Sequence, residues 1–191
     1  DVPAAVAAAV AAGADRLLCV AAGVTIARLE SAAGEGVAVV RAMPNTPALV
    51  GAGVAAVAAG SHADEAIVAW AESILGAVGQ VVRVAEAQLD AVTGLSGSGP
   101  AYVFLMAEAL IDAGVAEGLP REVAEQLAVG TVAGAGAMLA ATGEQPGALR
   151  ANVTSPGGTT AAGLAVLEDR AVRAAFAAAV AAATGRSRSL G

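Results

Sequence analysis

The sequence predicts an α/β domain followed by an all-helical domain. Two observations support this fold class. Short apolar runs alternate with helical patterns up to about residue 86, and only helical patterns follow. The chain has 191 residues, of which 57% are hydrophobic and 2% aromatic, so its core must consist largely of Ala, Val, Leu and Gly. Such small side chains favour close packing between helices.

The first domain, residues 1–86, contains four short apolar runs typical of buried parallel strands. They lie at residues 17–20, 37–40, 54–58 and 81–84. Helical patterns separate them, and Thr25 is the predicted N-cap of the helix that ends near Ala32. This alternation predicts a parallel sheet, and in such sheets ligands bind beyond the carboxyl ends of the strands. Two loops occupy that position: Ala21, Ala22 and Gly23, and Met43, Pro44 and Asn45.

A dinucleotide-binding sheet also needs a first strand that leads into a glycine-rich turn. No G-x-G-x-x-G pattern follows a strand in this sequence, and no strand precedes the glycines at residues 94–99. The α/β part is therefore predicted to be the second half of a parallel Rossmann sheet whose first half is missing.

The second domain, residues 87–191, has only helical patterns. They lie at residues 87–92, 101–116, 121–141, 144–151, 160–169 and 171–184. Residues 127–143 carry no charge but include four glycines, so they are a poor membrane span and are predicted to form a buried helix. Exposing that helix would be costly, and we therefore expect an intertwined dimer.

The composition excludes several kinds of site. The formal charge is −7 and the isoelectric point about 4.6, which argues against a nucleic-acid surface. All ten basic residues are Arg, so neither a Schiff-base lysine nor a P-loop lysine is present. With Cys19 as the one cysteine and His62 as the one histidine, we expect no metal site and no Ser-His-Asp triad. No signal peptide pattern is evident.

The segment Val153–Thr160 combines hydroxyl side chains, a proline and two glycines before an apolar helix. Ser155 is the predicted N-cap and Pro156 the first helical residue. The first amides of that helix would be free to bind a small anion such as a carboxylate. An ordinary capped helix is the alternative.

The segment Thr93–Pro100 contains three glycines and three hydroxyl side chains. Glycines allow a ligand to approach the backbone closely, and the hydroxyls can donate hydrogen bonds. The alternative is a connection between two helices, with Ser98 as the cap of a helix that begins near Pro100.

Three motifs of this chain strongly resemble those of pyrroline-5-carboxylate reductase. They are Arg41–Pro47, Thr93–Tyr102 and Val153–Thr160. The resemblance follows the family's order along essentially the whole chain. It implies a Rossmann domain followed by a helical domain that interleaves with a second subunit. It also implies an oxidoreductase that uses NADPH or NADH to reduce the cyclic imine 1-pyrroline-5-carboxylate to L-proline, the last step of proline biosynthesis.

The same resemblance implies the roles of individual residues. Thr93 would be the catalytic residue, with its hydroxyl at the ring nitrogen. The substrate carboxylate would be held by Ser155, Gly157, Gly158, Thr159 and Thr160. The nicotinamide of NADP or NAD would be flanked by Ala21, Ala22, Gly23, Met43, Pro44 and Asn45. Hydride transfer to a protonated imine mainly requires alignment of the two rings, which agrees with a chain that has no Lys and one His.

The resemblance further implies a cytoplasmic homodimer formed through the helical domain, and an oligomer of such dimers, with no nucleic acid or membrane as partner. The chain departs from the family at its beginning, where the glycine-rich turn and the residue that selects NAD or NADP are absent. We therefore expect little or no reductase activity from this chain by itself.

Two other hypotheses remain open at this point. One is a related Rossmann-plus-helical dehydrogenase acting on a hydroxy acid, although such enzymes rely on a lysine that this chain lacks. The other is a non-catalytic helical dimerisation fragment, which the Gly- and Ala-rich helices favour.

Overall fold

The computed structural model describes residues 2–190 and divides the chain into two compact units. The first unit comprises the described residues of Asp1–Pro100 and Ala178–Gly191, and the second is Ala101–Ala177. The strands end at Arg83, close to the sequence-based boundary at residues 86/87. The first unit nevertheless extends beyond that boundary and includes the C-terminal residues.

The first unit is built on a four-stranded sheet in the order β1–β2–β3–β4. Its strands are β1 (Arg16–Cys19), β2 (Ala38–Met43), β3 (Gly53–Ala59) and β4 (Gly79–Arg83). The helices between them are α1 (Val2–Ala11), α2 (Ile26–Ala33) and α3 (Glu65–Gly76). All four predicted strands are present, and Thr25 caps α2 as predicted by accepting a hydrogen bond from the amide of Arg28 at 3.3 Å.

The sheet is mixed, which corrects the prediction of a wholly parallel arrangement. β1 pairs with β2, and β3 with β4, in parallel. β2 and β3 are antiparallel, with Arg41 opposite Ala58. Only residues 44–52 connect these two strands, and they form a short 3₁₀ helix (Thr46–Val50). A parallel pairing needs a crossover of about a dozen residues or more, so this connection is too short for one.

The core covers both faces of the central strands. On one face Val40, Ala42 and Val57 pack with α3. On the opposite face Val39 packs with α1 and α2, while Ala56 and Ala58 pack against Leu89. Val39 and Val40 have no exposed surface, as expected for neighbouring residues of a strand covered on both sides.

The described residues that follow are mostly helical, as predicted. Its helices are α4 (Leu89–Val92), α5 (Gly99–Ala116), α6 (Arg121–Thr142), α7 (Pro146–Asn152), α8 (Thr159–Asp169) and α9 (Val172–Arg188). A 3₁₀ turn (Glu86–Gln88), α4, a π-helical turn (Thr93–Gly97) and α5 run on as one helix, Glu86–Ala116. The predicted break between helices at Thr93–Pro100 is therefore wrong.

The prediction that α6 is buried is also wrong for the chain by itself. Only Ala124 and Ala128 of α6 are buried, while Leu127 is 56% exposed. By length and composition alone, the helices Glu86–Ala116 and Arg121–Thr142 could each cross a membrane. Many large apolar side chains of α5, α6 and α8 are exposed in the second unit, among them Phe104, Leu127 and Val166.

Candidate functional site

The two loops predicted to flank a cofactor lie at the same edge of the sheet. β1 and β2 are parallel neighbours with Cys19 opposite Arg41, so their carboxyl ends point the same way. Ala21–Gly23 follows β1, and Met43–Asn45 closes β2. Ala22 is exposed at this edge and Pro44 is half-buried. The edge is therefore open to a ligand at the position where α/β sheets bind one.

The first of these loops requires a glycine. Gly23 has φ +73°, in the left-handed region that side chains disfavour. A Cβ at this position would also lie 3.0 Å from the carbonyl oxygen of Leu190. The C-terminal residues of the first unit thus lie against the loop that follows β1.

Thr93 lies on a π-helical turn. The amide of Ser98 donates to the carbonyl of Thr93 at 2.8 Å, which is the i to i+5 bond that defines such a turn. π-turns inside α-helices occur frequently at functional sites. The residue that the family resemblance assigned to catalysis therefore lies at the start of a rare type of helical turn.

Pro100 explains how the loop Met43–Asn45 bonds to the π-helical turn. In a regular helix the amide of residue 100 would donate to the carbonyl of Ser96, but proline has no N–H. The Ser96 carbonyl instead accepts from Nδ2 of Asn45 at 3.2 Å. Oδ1 of the same Asn45 accepts from the amide of Val54 at 2.9 Å. Asn45 thus connects β3, the loop after β2 and the π-turn.

A second contact brings the same loop and turn together. A Cβ on Gly97 would lie 2.7 Å from Cε of Met43. Glycine at this position therefore allows the Met43 side chain to pack directly on the turn. Of the predicted site residues, the first unit brings together Met43, Asn45 and the turn that carries Thr93.

The hydroxyl of Thr93 donates to the carbonyl of Leu89 at 2.9 Å. A carbonyl oxygen can only accept, so the hydrogen of the hydroxyl is committed to Leu89. The lone pairs of the Thr93 oxygen remain able to accept a hydrogen bond from a ligand. Thr93 is half-buried, so its oxygen is in a partly dehydrated position where such a bond is strengthened.

The predicted carboxylate-binding residues lie in the second unit and are arranged differently from the prediction. α8 begins at Thr159 with Gly158 as its N-cap, so Ser155 is not the cap and Pro156 is not helical. Ser155–Gly158 form a turn closed by a bond from the Gly158 amide to the Ser155 carbonyl at 3.0 Å. Gly157 has φ +69°, and Pro followed by such a glycine is typical of a type II turn. The left-handed glycine is the physical reason why the helix begins later than predicted.

The amino end of α8 has the geometry of an anion-binding site. Its first intrahelical bond runs from the Ala162 amide to the Gly158 carbonyl at 3.1 Å. The amides of residues 159–161 precede that bond and point out of the helix end. The hydroxyl of Ser155 lies against Gly158, where a Cβ would collide with it, and both Ser155 and Thr159 are exposed. This end can bind a carboxylate through amides, a hydroxyl and the helix dipole.

Three carboxylates outside the predicted site residues have lowered pKa values because they are bonded to arginines. Hydrogen bonds from Arg83 lower the pKa values of Glu65 and Glu72, and a hydrogen bond from Arg173 lowers that of Glu168. Residues 2–190 contain no group of three or more His, Cys, Asp or Glu side chains placed to hold a metal ion.

An ion pair that the sequence does not predict lies beside the loop Met43–Asn45. Arg41 is only 8% exposed, and its Nη1 lies 3.0 Å from Oε1 of Glu86. The same Glu86 oxygen accepts from the amide of Ile26 at 2.6 Å. The signal in the sequence was a charged residue at the end of an apolar strand, but the residues alone do not show which carboxylate pairs with it.

The comparisons with known proteins agree on one family. A family described as pyrroline-5-carboxylate reductase dimerisation matches residues 86–190. The pyrroline-5-carboxylate reductase of Synechocystis sp. is 50% identical over 186 residues, which cover 96% of this chain and 69% of the relative. That of Corynebacterium melassecola is 48% identical over 175 residues, which cover 92% of this chain and 65% of the relative.

A solved structure extends the similarity to three dimensions. The crystal structure of Plasmodium falciparum pyrroline carboxylate reductase with NADP bound matches with a TM-score of 0.87 at 32% identity. The match covers 100% of this chain and 77% of that one. The chain spans about two thirds of the length of the curated relatives.

The fold and the match over residues 86–190 define an α/β unit joined to a helical dimerisation region. The identities of 48% and 50% to named relatives then define the family more narrowly. The chain belongs to the pyrroline-5-carboxylate reductase family.

Proposed function

We propose that this protein binds 1-pyrroline-5-carboxylate and takes part in its reduction to L-proline. The observation that carries the proposal is the Thr93 hydroxyl, which donates to Leu89 and so offers only lone pairs to a ligand. A protonated cyclic imine presents the N–H that such an oxygen accepts. It is also the better hydride acceptor, because its carbon is more electron-poor than that of the neutral imine.

The cofactor would be NADP or NAD, bound at the edge formed by Ala21–Gly23 and Met43–Asn45. The open edge beyond two parallel strands fits the nicotinamide end of such a dinucleotide. The relative from Plasmodium falciparum has NADP bound, so NADP is the first of the two cofactors to test. When bound, the reduced dinucleotide supplies the hydride. Met43 and Asn45 would help to set its distance from the substrate, because both contact the turn that carries Thr93.

In the first unit, the oxygen of Thr93 would bind the imine end of the substrate. Thr93 accepts the N–H of the protonated imine, and the nitrogen keeps its proton while it takes the electron pair of the C=N bond, giving the amine of proline. The second unit offers a carboxylate site of its own at the amino end of α8, with Ser155 as an additional donor. No general base is required, which suits a site made of hydroxyls and amides.

Calorimetric titration with proline, the product, tests this proposal. Ser155→Ala removes one donor to the carboxylate, and a hydrogen bond to a charged group is worth about 1.5–3 kcal/mol, so affinity should fall roughly 10- to 100-fold. Ser73→Ala is the matched control, because Ser73 is exposed on α3 and donates only to Trp70. Equal affinity of Ser155→Ala and wild type would contradict the carboxylate site. Oxidation of NADPH and NADH with 1-pyrroline-5-carboxylate then measures turnover directly.

A homodimer formed through the helical region is part of the proposal. The family match over residues 86–190 is described as a dimerisation region. In α6, Gly130 and Gly134 are four residues apart on one face, and a Cβ added at either would meet nothing within 4 Å, so another backbone can approach this face closely. We also propose that such dimers associate into larger oligomers.

The second candidate function is a helical dimerisation module without catalysis. The exposed apolar side chains of α5 and α6 favour it, because they require a partner but no ligand. Dimerisation of a protein that does not bind proline would support this alternative over the reductase.

A further inference from the structure

Three polar side chains are buried among the described residues: Arg41, Thr184 and Ser187. They are 8%, 8% and 4% exposed, respectively. Arg41 belongs to β2, while Thr184 and Ser187 lie in the part of α9 that belongs to the first unit. Burying a polar group is unfavourable unless it is bonded, so each of these side chains should have a specific partner.

All three contact one short stretch of helix. Arg41 pairs with Glu86 at 3.0 Å, and the hydroxyl of Ser187 donates to Oδ1 of Asp90 at 2.7 Å. A Cβ on Gly94 would collide with the Thr184 hydroxyl and lie 2.7 Å from the carbonyl of Val180. Thr184 therefore occupies the space that glycine leaves at position 94.

The contacted positions are four residues apart. Glu86, Asp90 and Gly94 recur at i, i+4 and i+8, so they follow one side of the helix. We call this set the polar seam. Thr93 lies next to its last member and at the start of the π-turn.

The contacts of the polar seam fix the rotation of the helix, which apolar packing leaves free. Leu89 and Val92 pack against Ala56, Ala58 and Ile26, but such contacts are non-directional and tolerate rotation of the helix. Hydrogen bonds and ion pairs depend on angle and distance, so partners at successive turns fix both rotation and position along the axis. The partners also come from separate parts of the chain, β2 and α9.

We propose that the polar seam holds the π-turn and the Thr93 hydroxyl in the orientation that substrate binding requires. Arg41, Glu86, Asp90, Thr184 and Ser187 are then positioning residues, and Gly94 is the position that lets α9 approach. The functional part of this inference rests on the proposed role of Thr93, but the mechanical part does not.

Amide hydrogen exchange of the full chain tests the mechanical part. Ser187→Ala leaves the Asp90 carboxylate without its buried donor, so exchange in residues 93–98 should accelerate by roughly tenfold or more, while β2 and β3 change little. Ser189→Ala is the matched control, because this serine is exposed and only two residues away. If exchange accelerates equally in residues 93–98, β2 and β3, the polar seam does not hold the π-turn specifically. The proposal is also overturned if Ser187→Ala accelerates exchange no more than the control does.

Two further measurements keep the result decisive. Asp90→Asn keeps the shape and one oxygen acceptor but loses the charge, so exchange in residues 93–98 should rise only about threefold. This variant decides the question if Ser187→Ala does not fold, and an unchanged exchange rate in residues 93–98 would contradict the proposal.

Proline binding tests the functional part. Proline affinity should fall roughly tenfold in Ser187→Ala but not in Ser189→Ala. If wild type binds no proline, the proposed function fails, while the exchange rates still decide the mechanical part.

Discussion

Single side chains locate the loops of the first unit. Asn45 uses both ends of its amide, one to Val54 and one to Ser96, and so joins two segments that are far apart in sequence. Glu30 does the same between α2 and the loop after β3, where its Oε1 accepts from the amide of Ser61 at 2.6 Å and from its hydroxyl at 2.8 Å. In a chain with few large side chains, such directional bonds define positions that small apolar contacts leave loose.

The Glu30 contact makes stability depend on pH. The amide of Ser61 lowers the pKa of Glu30 most, the Ser61 hydroxyl lowers it further, and the charge of His62 contributes least. Because the folded pKa lies below the unfolded value of about 4.3, the contribution is complete above that value and is lost as the pH falls through the folded pKa. Glu30→Gln should therefore lower Tm at neutral pH, and the difference from wild type should vanish on acidification.

Thermal unfolding followed by circular dichroism, at a series of pH values from neutral into the acid range, measures this difference. Glu35→Gln, which changes a nearby exposed glutamate, is the matched control. A Tm difference between Glu30→Gln and wild type that stays constant with pH would show that the carboxylate charge does not stabilise the fold.

At the scale of elements, local patterns predicted regular structure well. The apolar runs gave the four strands, and Thr25 gave the start of α2, because burial and capping are short-range properties. The direction of β3 was not predictable from its composition, since an alternating pattern of strands and helices fits several topologies. The short connection at residues 44–52 was the available signal.

The two site segments were recognised as unusual, but their geometry was not predicted. At Thr93–Pro100 the glycines and Pro100 indicate a break, yet the helix continues because Asn45 satisfies the Ser96 carbonyl. At Ser155–Gly158 the Ser-Pro pair indicates a cap, whereas the left-handed Gly157 selects a turn. Both outcomes depend on contacts or backbone angles that these short segments do not specify by themselves.

Replacement of Gly157 tests the turn. Gly157→Ala forces a side chain into φ +69°, which costs about 1–2 kcal/mol. We expect a lower Tm and weaker proline binding, because the turn places Ser155 beside the amino end of α8. Gly147→Ala is the matched control: this glycine lies inside α7 with open space around its Cβ position, so alanine should stabilise the helix by about 0.5–1 kcal/mol. A Gly157→Ala protein as stable as wild type would contradict the strained turn.

At the scale of the whole molecule, the second unit leaves much apolar surface uncovered. Leu105 is 65% exposed, Leu127 56% and Met138 50%, and they lie on the two longest helices of this unit. Exposed apolar area of this extent marks a protein or membrane contact. Since the matching family region is described as a dimerisation region, a second copy is the partner we propose.

Substitution of Leu127 separates a second copy from a membrane as the partner. Leu127→Glu places a charge in the proposed interface, where burying it without a partner is strongly unfavourable, so sedimentation should show a dimer for wild type and a monomer for the variant. Leu49→Glu is the matched control, because Leu49 is 90% exposed on the 3₁₀ helix of the first unit and should leave the dimer intact. A monodisperse wild-type monomer would contradict the dimer, and sedimentation of wild type with lipid vesicles would favour a membrane instead. Dimerisation in plain buffer that Leu127→Glu alone abolishes would place the contact on α6.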